Sequence, residues 1–171
     1  MGKIVCNLAI SVDGFIADEN GGVDWLNDFN AEDYGMVDFF EQCGTAIMGS
    51  KTYELALSFN SWFGKMEGVV FTSRSLPLFK NEIINFVNGD PVRVVEELRK
   101  KEKDSWLVGG GQLIASFIDL HLLDELIITL IPRLLGKGLA LCPSIKEISK
   151  LKLLDSKPYN DGVVQLKYCF S

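Results

Sequence analysis

Residues 105–119 of the 171-residue chain are SWLVGGGQLIASFID, and this stretch is the strongest local indication of the fold class. Its first four residues are mostly large and apolar and predict a short buried strand. Three consecutive glycines then predict a tight turn, and residues 112–119 have the apolar spacing of a helix that starts directly after it. A strand that turns through glycines into a helix is the repeating unit of an α/β fold with a parallel sheet.

Strands and helices alternate in the same way over most of the chain. Apolar and β-branched runs predict further strands at residues 3–10, 45–48, 68–72, 83–87 and 125–131. Helices are predicted at residues 31–44, 50–57 and 91–103. Two last strands, 151–155 and 163–170, have no helix between them and predict an antiparallel hairpin. We therefore predict one α/β domain, residues 1–171, with a mixed, mostly parallel sheet of about eight strands flanked by helices.

The composition disfavours several classes of partner. The chain has 17 Lys and Arg residues against 23 Asp and Glu residues, a formal net charge of −6. Nucleic acids and anionic membranes favour clustered positive charge, so neither is expected as a partner. The apolar runs are shorter than the roughly 20 residues that cross a bilayer. The four cysteines are scattered, which predicts reduced thiols, no metal site and a cytoplasmic protein.

Three familiar motifs are incomplete. Residues 44–52, GTAIMGSKT, are similar to a nucleotide triphosphatase loop, but Ser50 separates the second glycine from Lys51. The glycines at 109–111 lack the third glycine of a dinucleotide fingerprint, since Ile114 occupies that position. The one histidine, His121, has no nucleophile motif to accompany it, which disfavours a hydrolase.

Three predicted strands end in segments suited to an anion. These segments are residues 49–52, 72–75 and 109–112. Because the carboxyl ends of parallel strands share one sheet edge, helix N-termini there offer free N–H groups to a phosphate. Lys51 and Arg74 add positive charge, and Thr52, Thr72 and Ser73 add hydroxyl groups. The combination suits NADPH with its additional 2′-phosphate, although each segment alone is also an ordinary turn or surface loop.

Together and in this order, these residues resemble the dihydrofolate reductase superfamily. Within it, the chain is most similar to the branch that contains the reductase domain of the bifunctional riboflavin-biosynthesis deaminase/reductase. The resemblance runs through SVDGFIA at 11–17, IMGSKTYE at 47–54, FTSR at 71–74, VGGG at 108–111, DEL at 124–126 and IPRLLGKG at 131–138.

The resemblance implies a three-layer dihydrofolate-reductase-like fold and an NADPH-dependent oxidoreductase. Its substrate would be a small heterocycle or ribosylaminopyrimidine, as for a 5-amino-6-(5-phosphoribosylamino)uracil reductase, and the enzyme would be a homodimer. The apolar late strand and residues 134–141 are the expected dimer face.

The resemblance also assigns residues to the cofactor. Next to the nicotinamide it places Ala9 and Ile16, and over them a loop from Asp18 to Asn30. For the pyrophosphate it assigns Gly49, Ser50, Lys51 and Thr52. For the 2′-phosphate it assigns Thr72, Ser73 and Arg74. For the pyrophosphate and the nicotinamide mononucleotide half it assigns Gly109, Gly110, Gly111 and Gln112, next to Val108, with a cis peptide between the first two glycines.

Two carboxylates are candidate catalytic groups on the strength of the resemblance. Counting back from Met48-Gly49 without gaps places Asp33 where dihydrofolate reductases have a carboxylate on the first helix, with Thr129 as its hydrogen-bond partner. Asp13 is the other candidate, because Ser-x-Asp-Gly recurs in the riboflavin-type branch. The residues expected at the substrate are Trp25, Val37, Phe40 and Thr129.

Two other functions stay open. A true dihydrofolate reductase would need a basic side chain for the glutamate tail near the helix after strand 68–72, and none is evident there. A domain that binds a dinucleotide without turnover would have the same glycine segments. Antifolate binding distinguishes the first alternative, and oxidation of the cofactor distinguishes the second.

Overall fold

An eight-stranded sheet forms the middle of the molecule, in a computed structural model that describes residues 1–30 and 32–171. Its strands, with two short additional ones, are β1 Ile4–Ser11, β2 Phe15–Ala17, β3 Cys43–Gly49, β4 Glu67–Phe71, β5 Ile84–Val87, β6 Asp104–Gly109, β7 Glu125–Ile131, β8 Leu139–Ala140, β9 Leu151–Pro158 and β10 Val164–Phe170. The helices are α1 Met36–Gln42, α2 Ser50–Ser58, α3 Pro91–Leu98 and α4 Gly111–Asp119.

The strand order is β5-β4-β3-β6-β1-β7-β10-β9. The six strands from β5 to β7 pair in parallel, and the β9–β10 hairpin adds two antiparallel strands at the end. The sequence-based prediction of a mixed, mostly parallel sheet with an antiparallel C-terminal hairpin is confirmed.

Helices cover both faces of the sheet. Ile4 and Cys6 of β1 pack in one apolar cluster with residues of α3 and α4, whereas Val5 packs in a second cluster with α1 and α2. Neighbouring residues of a strand face opposite sides of the sheet, so β1 contributes to both layers of the core. The result is the predicted three-layer arrangement.

The first helix starts later than predicted. The sequence predicts it from residue 31, which lies outside the described residues, but α1 begins at Met36. Tyr34 and Gly35 have φ angles of 51° and 76°, which an α-helix excludes. The carboxylate of Asp33 accepts hydrogen bonds from the backbone N–H groups of Gly35 and Val37 and so supports the turn before the helix. This placement puts Asp33 before the helix instead of on it.

The structure differs from the prediction in two other places. Helix α3 ends at Leu98, five residues earlier than predicted, and the residues up to Asp104 form the turn into β6. Strands β2 and β8 are additional and pair with each other, apart from the large sheet. A β-carbon at Gly138 would lie 2.2 Å from the carbonyl oxygen of Ala17, so only glycine allows these two strands to approach so closely.

Among the described residues, no helix is long and apolar enough to cross a membrane.

Candidate active site

The three predicted anion-binding segments meet at one edge of the sheet. Strand β3 lies between β4 and β6, and its register pairs Gly49 with Phe71 and Met48 with Gly109. The turns that follow these three strands are therefore neighbours in space. The sheet thus brings together segments that are about 60 positions apart in sequence.

Two helix N-termini lie side by side at this edge. Helix α2 begins at Ser50, and α4 begins at Gly111 after a cis peptide bond between Gly109 and Gly110. A β-carbon at Gly110 would lie 3.7 Å from the hydroxyl oxygen of Thr52, so the first turn of α2 faces the glycine turn before α4. Neither helix has an acidic residue in its first turn. Their N–H groups and partial positive charges therefore form an arrangement that is suited to an anion.

The space in front of these helices differs between the two glycine turns. A β-carbon at Gly49 would meet no atom within 4 Å, so this turn is open. A β-carbon at Gly111 would lie 2.6 Å from the carbonyl oxygen of Ala140, so this turn is tightly packed against the end of β8. The turn at Gly49 therefore has free space in front of it, whereas the turn at Gly111 is closely packed.

Arg74 already has an acidic partner. Its Nη2 atom lies 2.9 Å from Oε2 of Glu54, a residue of α2, and its backbone N–H donates to the hydroxyl of Thr72. The ion pair lowers the pKa of Glu54, first through the hydrogen bond from Arg74. Ser73 and Lys51 are exposed at the same edge. The cations predicted for the 2′-phosphate side are present, but one of them is shared with Glu54.

The carboxylate of Asp13 accepts four hydrogen bonds at the end of β1. The hydroxyl of Ser11 donates at 2.6 Å, the backbone N–H of Gly136 donates at 2.7 Å, and that of Leu135 lies 3.1 Å from each oxygen. These bonds, that from Ser11 first, lower the pKa of Asp13. The group is therefore ionised at neutral pH and holds the loop after β7. A cavity of about 530 Å³ lies beside this loop, between residues 18–20 and 135–137.

The other candidate carboxylate, Asp33, is exposed at the start of α1. Hydrogen bonds from the backbone of Gly35 and Val37 lower its pKa, so it too is ionised at neutral pH. Its predicted partner Thr129 is buried in β7 and accepts a hydrogen bond from Nε2 of Gln165 at 3.0 Å. The structure therefore gives Thr129 a different partner from the one that the resemblance implies.

The sheet face below α1 has a row of polar residues. The register places Ala9 of β1 opposite Thr129 of β7, and Thr129 opposite Gln165 of β10. Asn7, two residues before Ala9, faces the same side, and its Nδ2 lies 3.5 Å from the sulfur of Met36. Gln165 also donates to the backbone carbonyl of Tyr34 at 3.0 Å. The sheet and the segment before α1 are thereby joined.

Trp25 lies over the same region with an unsatisfied donor. It packs, with Ala9, against an apolar cluster of Tyr34, Ile131 and Val163. Within the described part of the chain, its indole Nε1 is the one buried side-chain nitrogen or oxygen atom without a hydrogen-bond partner. Buried donors are nearly always satisfied, so this atom indicates a missing acceptor from a ligand or a water molecule.

The other predicted residues lie around this region. Phe40 packs on the indole of Trp106 with ring centres 5.5 Å apart, while Val37 is 59% exposed at the rim. Ile16 is half-buried in β2. The hydroxyl of Tyr34 donates to the carboxylate of Asp161, and burial, followed by this bond, raises the pKa of Tyr34 to about 12.

Sequence reasoning missed Asn7, Tyr34 and Gln165. A signal was present for Asn7, because a polar residue inside the apolar run of β1 is unusual unless it has a specific partner. Gln165 gave a weaker signal, since β10 has polar residues at several positions. Tyr34 gave none, because its role depends on a left-handed backbone conformation that the local sequence does not indicate.

Comparisons with known proteins agree with this geometry. The family model of the RibD C-terminal domain matches residues 2–165. Two uncharacterized proteins of Bacillus subtilis, YwjB and YyaP, are 35% and 34% identical to the chain over 97% of its length, and the matches cover 97% and 94% of the two proteins.

Solved structures show the same fold. A protein of Shewanella sp. PV-4, provisionally assigned to riboflavin biosynthesis, has a TM-score of 0.88 and 29% identity, with 100% of this chain and 99% of that chain covered. The deaminase/reductase of Thermotoga maritima has a TM-score of 0.74 and 14% identity over 99% of this chain and 57% of its own. Dihydrofolate reductase of Enterococcus faecalis, complexed with NADP(H), has a TM-score of 0.71 and 18% identity over 99% and 97%. The last two similarities concern the fold alone.

Proposed function

The chain belongs to the RibD C-terminal domain family, and from this we propose that it is an NADPH-dependent reductase of a small heterocyclic or ribosylaminopyrimidine substrate. The observation that carries the proposal is the pair of adjacent helix N-termini, with Thr52 facing Gly110. An anion site of this kind suits a dinucleotide, and the unsatisfied indole donor of Trp25 suits a second, uncharged ring.

The residues present fit NADPH. Ser50, Lys51 and Thr52 at α2 and Gly111 and Gln112 at α4 would hold the pyrophosphate, because the Gly49 turn leaves open space for it. Thr72, Ser73 and Arg74 would bind the 2′-phosphate. Since Arg74 is paired with Glu54, the phosphate would compete with that carboxylate for the guanidinium. Ala9 and Ile16 would contact the nicotinamide. The bound cofactor would supply a hydride, and the chain would supply orientation and a dry pocket.

The two candidate carboxylates have different roles in this proposal. Asp13 positions the loop at residues 135–136, because all its bonds are to this loop and to Ser11. Asp33 lies at the rim on the substrate side and is ionised, so in this proposal it stabilises the protonated, positively charged form of the substrate that accepts the hydride, and it does not donate a proton of its own. The proton that completes the reduction comes from solvent.

We also propose a homodimer, but not through the predicted late strand, because that strand is β7, which lies inside the sheet between β1 and β10. Strand β9 is exposed along its whole length at the edge of the sheet, and Leu151, Leu153 and Leu154 are each between 41% and 50% exposed. An exposed apolar edge strand is a template for pairing with another chain. Sedimentation of the wild-type protein should give a dimer, and Leu153→Lys should give a monomer; a wild-type monomer contradicts this part of the proposal.

A cofactor titration tests the proposed function. We expect NADPH to quench protein fluorescence and to bind more tightly than NADH. We expect Arg74→Ala to lower the affinity for NADPH at least about tenfold and to leave that for NADH nearly unchanged, because charge-assisted bonds to a phosphate are strong. Arg93→Ala, an exposed arginine of α3, is the matched control. Absence of dinucleotide binding would overturn the proposal.

Turnover is the second readout. With the reductase substrate of riboflavin biosynthesis, we expect the absorbance of NADPH to decrease with time. Turnover of dihydrofolate instead would indicate a true dihydrofolate reductase. Binding of NADPH without turnover of either compound would indicate a domain that binds the dinucleotide without catalysis.

A further inference from the structure

The polar groups of the sheet face below α1 are buried, which calls for an explanation beyond packing. Asn7 and Thr129 are only 5% and 7% exposed, and Gln165 is half-buried beside them. The register pairs Thr129 directly with Gln165, whereas Asn7 lies opposite Ile127, two positions along the same face; together the three side chains form the polar row of an otherwise apolar layer. Buried polar groups cost free energy unless each donor and acceptor has a partner.

The orientation of the Gln165 amide is fixed by its partners. The backbone carbonyl of Tyr34 can only accept a hydrogen bond, so the group that faces it at 3.0 Å is the NH₂ end of the amide. The same Nε2 lies 3.0 Å from the hydroxyl oxygen of Thr129, which uses the second amide proton. Thr129 is therefore the acceptor in this bond.

This arrangement leaves one donor and one acceptor unused side by side. The hydroxyl proton of Thr129 has no acceptor and the carbonyl oxygen of Gln165 has no donor among the described residues. The two groups are held in fixed positions, because each is anchored through Nε2. Trp25 adds a second unused donor in the same region.

The polar row is electrically neutral, and charged groups lie only at its rim. Asp33, Lys157 and Asp161 are all exposed. Asp161 accepts from the hydroxyl of Tyr34 and the backbone N–H of Val163, and Asp33 accepts from the backbone at the start of α1. A ring bound on this row would therefore meet neutral hydrogen-bonding groups and no buried charge.

We propose that Gln165 and Thr129 determine the substrate specificity of this reductase by binding the cyclic amide edge of a neutral heterocycle. The carbonyl oxygen of Gln165 accepts from a ring N–H, and the hydroxyl of Thr129 donates to the adjacent ring C=O. Adjacent donor and acceptor groups on a ring match such a pair, as they do on base edges. The inference rests on the proposed function for the identity of the reaction, but not for the binding of the ring.

Binding of a matched pair of ligands tests this inference. The probes are 5,6-diaminouracil and its 1,3-dimethyl derivative, which has the same ring carbonyls but no ring N–H. We expect the full-length wild-type protein to bind the first at least about tenfold more tightly, because a site built for hydrogen bonds rejects a ligand that leaves them unpaired. Calorimetry with and without NADP⁺ measures both affinities.

Two isosteric variants then test the residues. Gln165→Met and Thr129→Val should each bind the two probes with nearly equal affinity, whereas Thr129→Ser should retain the preference. Gln42→Met on α1 and Thr45→Val at the start of β3 are the matched controls and should behave as wild type. Circular dichroism identifies any variant that fails to fold. If Gln165→Met does not fold, the comparison of Thr129→Val with Thr129→Ser still tests the inference.

The outcomes separate this inference from the proposed function. Loss of discrimination in Gln165→Met and Thr129→Val supports the inference, with or without bound NADP⁺. Retained discrimination in either folded variant overturns it, and so does the failure of wild type to bind the first probe. If the ring binds selectively but NADPH does not bind, the proposed reductase function is wrong while the specificity pair stands.

Discussion

The edge where we propose the cofactor, called the cofactor edge, and the polar face where we propose the substrate, called the pocket, are built in different ways. At the cofactor edge, each element is a local turn from a strand into a helix or loop. The residues that form each turn into a helix are neighbours in sequence: Gly49 and Ser50 before α2, and Gly110 and Gly111 before α4. In the pocket, Gln165 bonds to Tyr34 across 131 positions and to Thr129 across 36. The first region is a set of local motifs that the sheet aligns, and the second exists only in the folded chain.

The comparison suggests different sensitivities to mutation. A change at the cofactor edge should affect either the packing of one turn or the binding of phosphate. A change in the pocket should affect several segments together, because Tyr34, Asp161 and Gln165 are linked by hydrogen bonds. The following predictions test this difference, in order of decreasing effect.

Gly111→Ala should have the largest effect. The new methyl group would lie 2.6 Å from the carbonyl oxygen of Ala140 and would push the end of β8 away from α4. Overpacking of this kind costs about 1–3 kcal/mol, which lowers the melting temperature of a domain this size by about 2–4 °C per kcal/mol. Thermal unfolding measures the loss, and NADPH titration should show weaker binding as well.

Gly49→Ala is the matched control for that variant. Its methyl group would meet nothing within 4 Å, and the φ angle of −83° suits alanine, so the stability should not decrease. The same open space is where we place the pyrophosphate, so affinity for NADPH should still decrease. If Gly49→Ala binds NADPH as tightly as wild type does, the proposed position of the pyrophosphate is wrong.

Asp13→Asn should have an intermediate effect that depends on pH. The amide group that replaces the carboxylate has only one oxygen that can accept hydrogen bonds, so the loop at residues 135–136 is held less firmly. The fold lowers the pKa of Asp13, so its stabilising contribution is present above the unfolded value of about 4 and is lost as the pH falls through the lower folded value. The gap in melting temperature between wild type and variant should therefore narrow as the medium becomes more acidic than about pH 4.

Glu96→Gln, an exposed change on α3, is the control for the loss of one carboxylate. A gap between wild type and Asp13→Asn that stays constant down to the lowest pH would contradict the role of the ionised group. In the enzyme assay, Asp13→Asn should lower kcat more than it raises KM for NADPH, because in our proposal the loop at residues 135–136 faces residues 18–20, at the start of the loop over the nicotinamide, and does not contact the phosphates.

The fold could be predicted from the sequence because its signals are local. The alternation of apolar runs and glycine turns identified all eight strands of the large sheet, and the resemblance predicted the cis peptide before Gly111. The start of α1 could not be predicted, because the local sequence does not indicate the left-handed conformation of Tyr34, whose hydrogen bonds are to the distant residues 161 and 165. Strands β2 and β8 could not be predicted either, because they are too short to show an alternating pattern.

The candidate site also has a part that could be predicted from the sequence and a part that could not. Residues 49–52, 72–74 and 109–112 were predicted from their segments, and the sheet places these segments next to each other. The roles assigned to individual residues there stay predictions. The bonding of Asp13 and Thr129 could not be predicted, because the backbone of residues 135–136 and the side chain of Gln165 are distant in sequence. Asp33 bonds to backbone only two and four residues away, but those bonds depend on the left-handed turn before α1.

Glu54→Gln should have the smallest effect, and it should be a gain. Exposed ion pairs contribute little to stability, so the melting temperature should barely change. The variant removes the carboxylate that competes with the 2′-phosphate for Arg74, so affinity for NADPH should rise by about threefold while that for NADH stays constant. Glu67→Gln breaks a similar exposed pair with Lys101 at the opposite end of the sheet and should change neither affinity. Weaker NADPH binding by Glu54→Gln would mean that Glu54 holds Arg74 in the conformation that binds phosphate, and that the pair acts as a positioning device and not as a competitor.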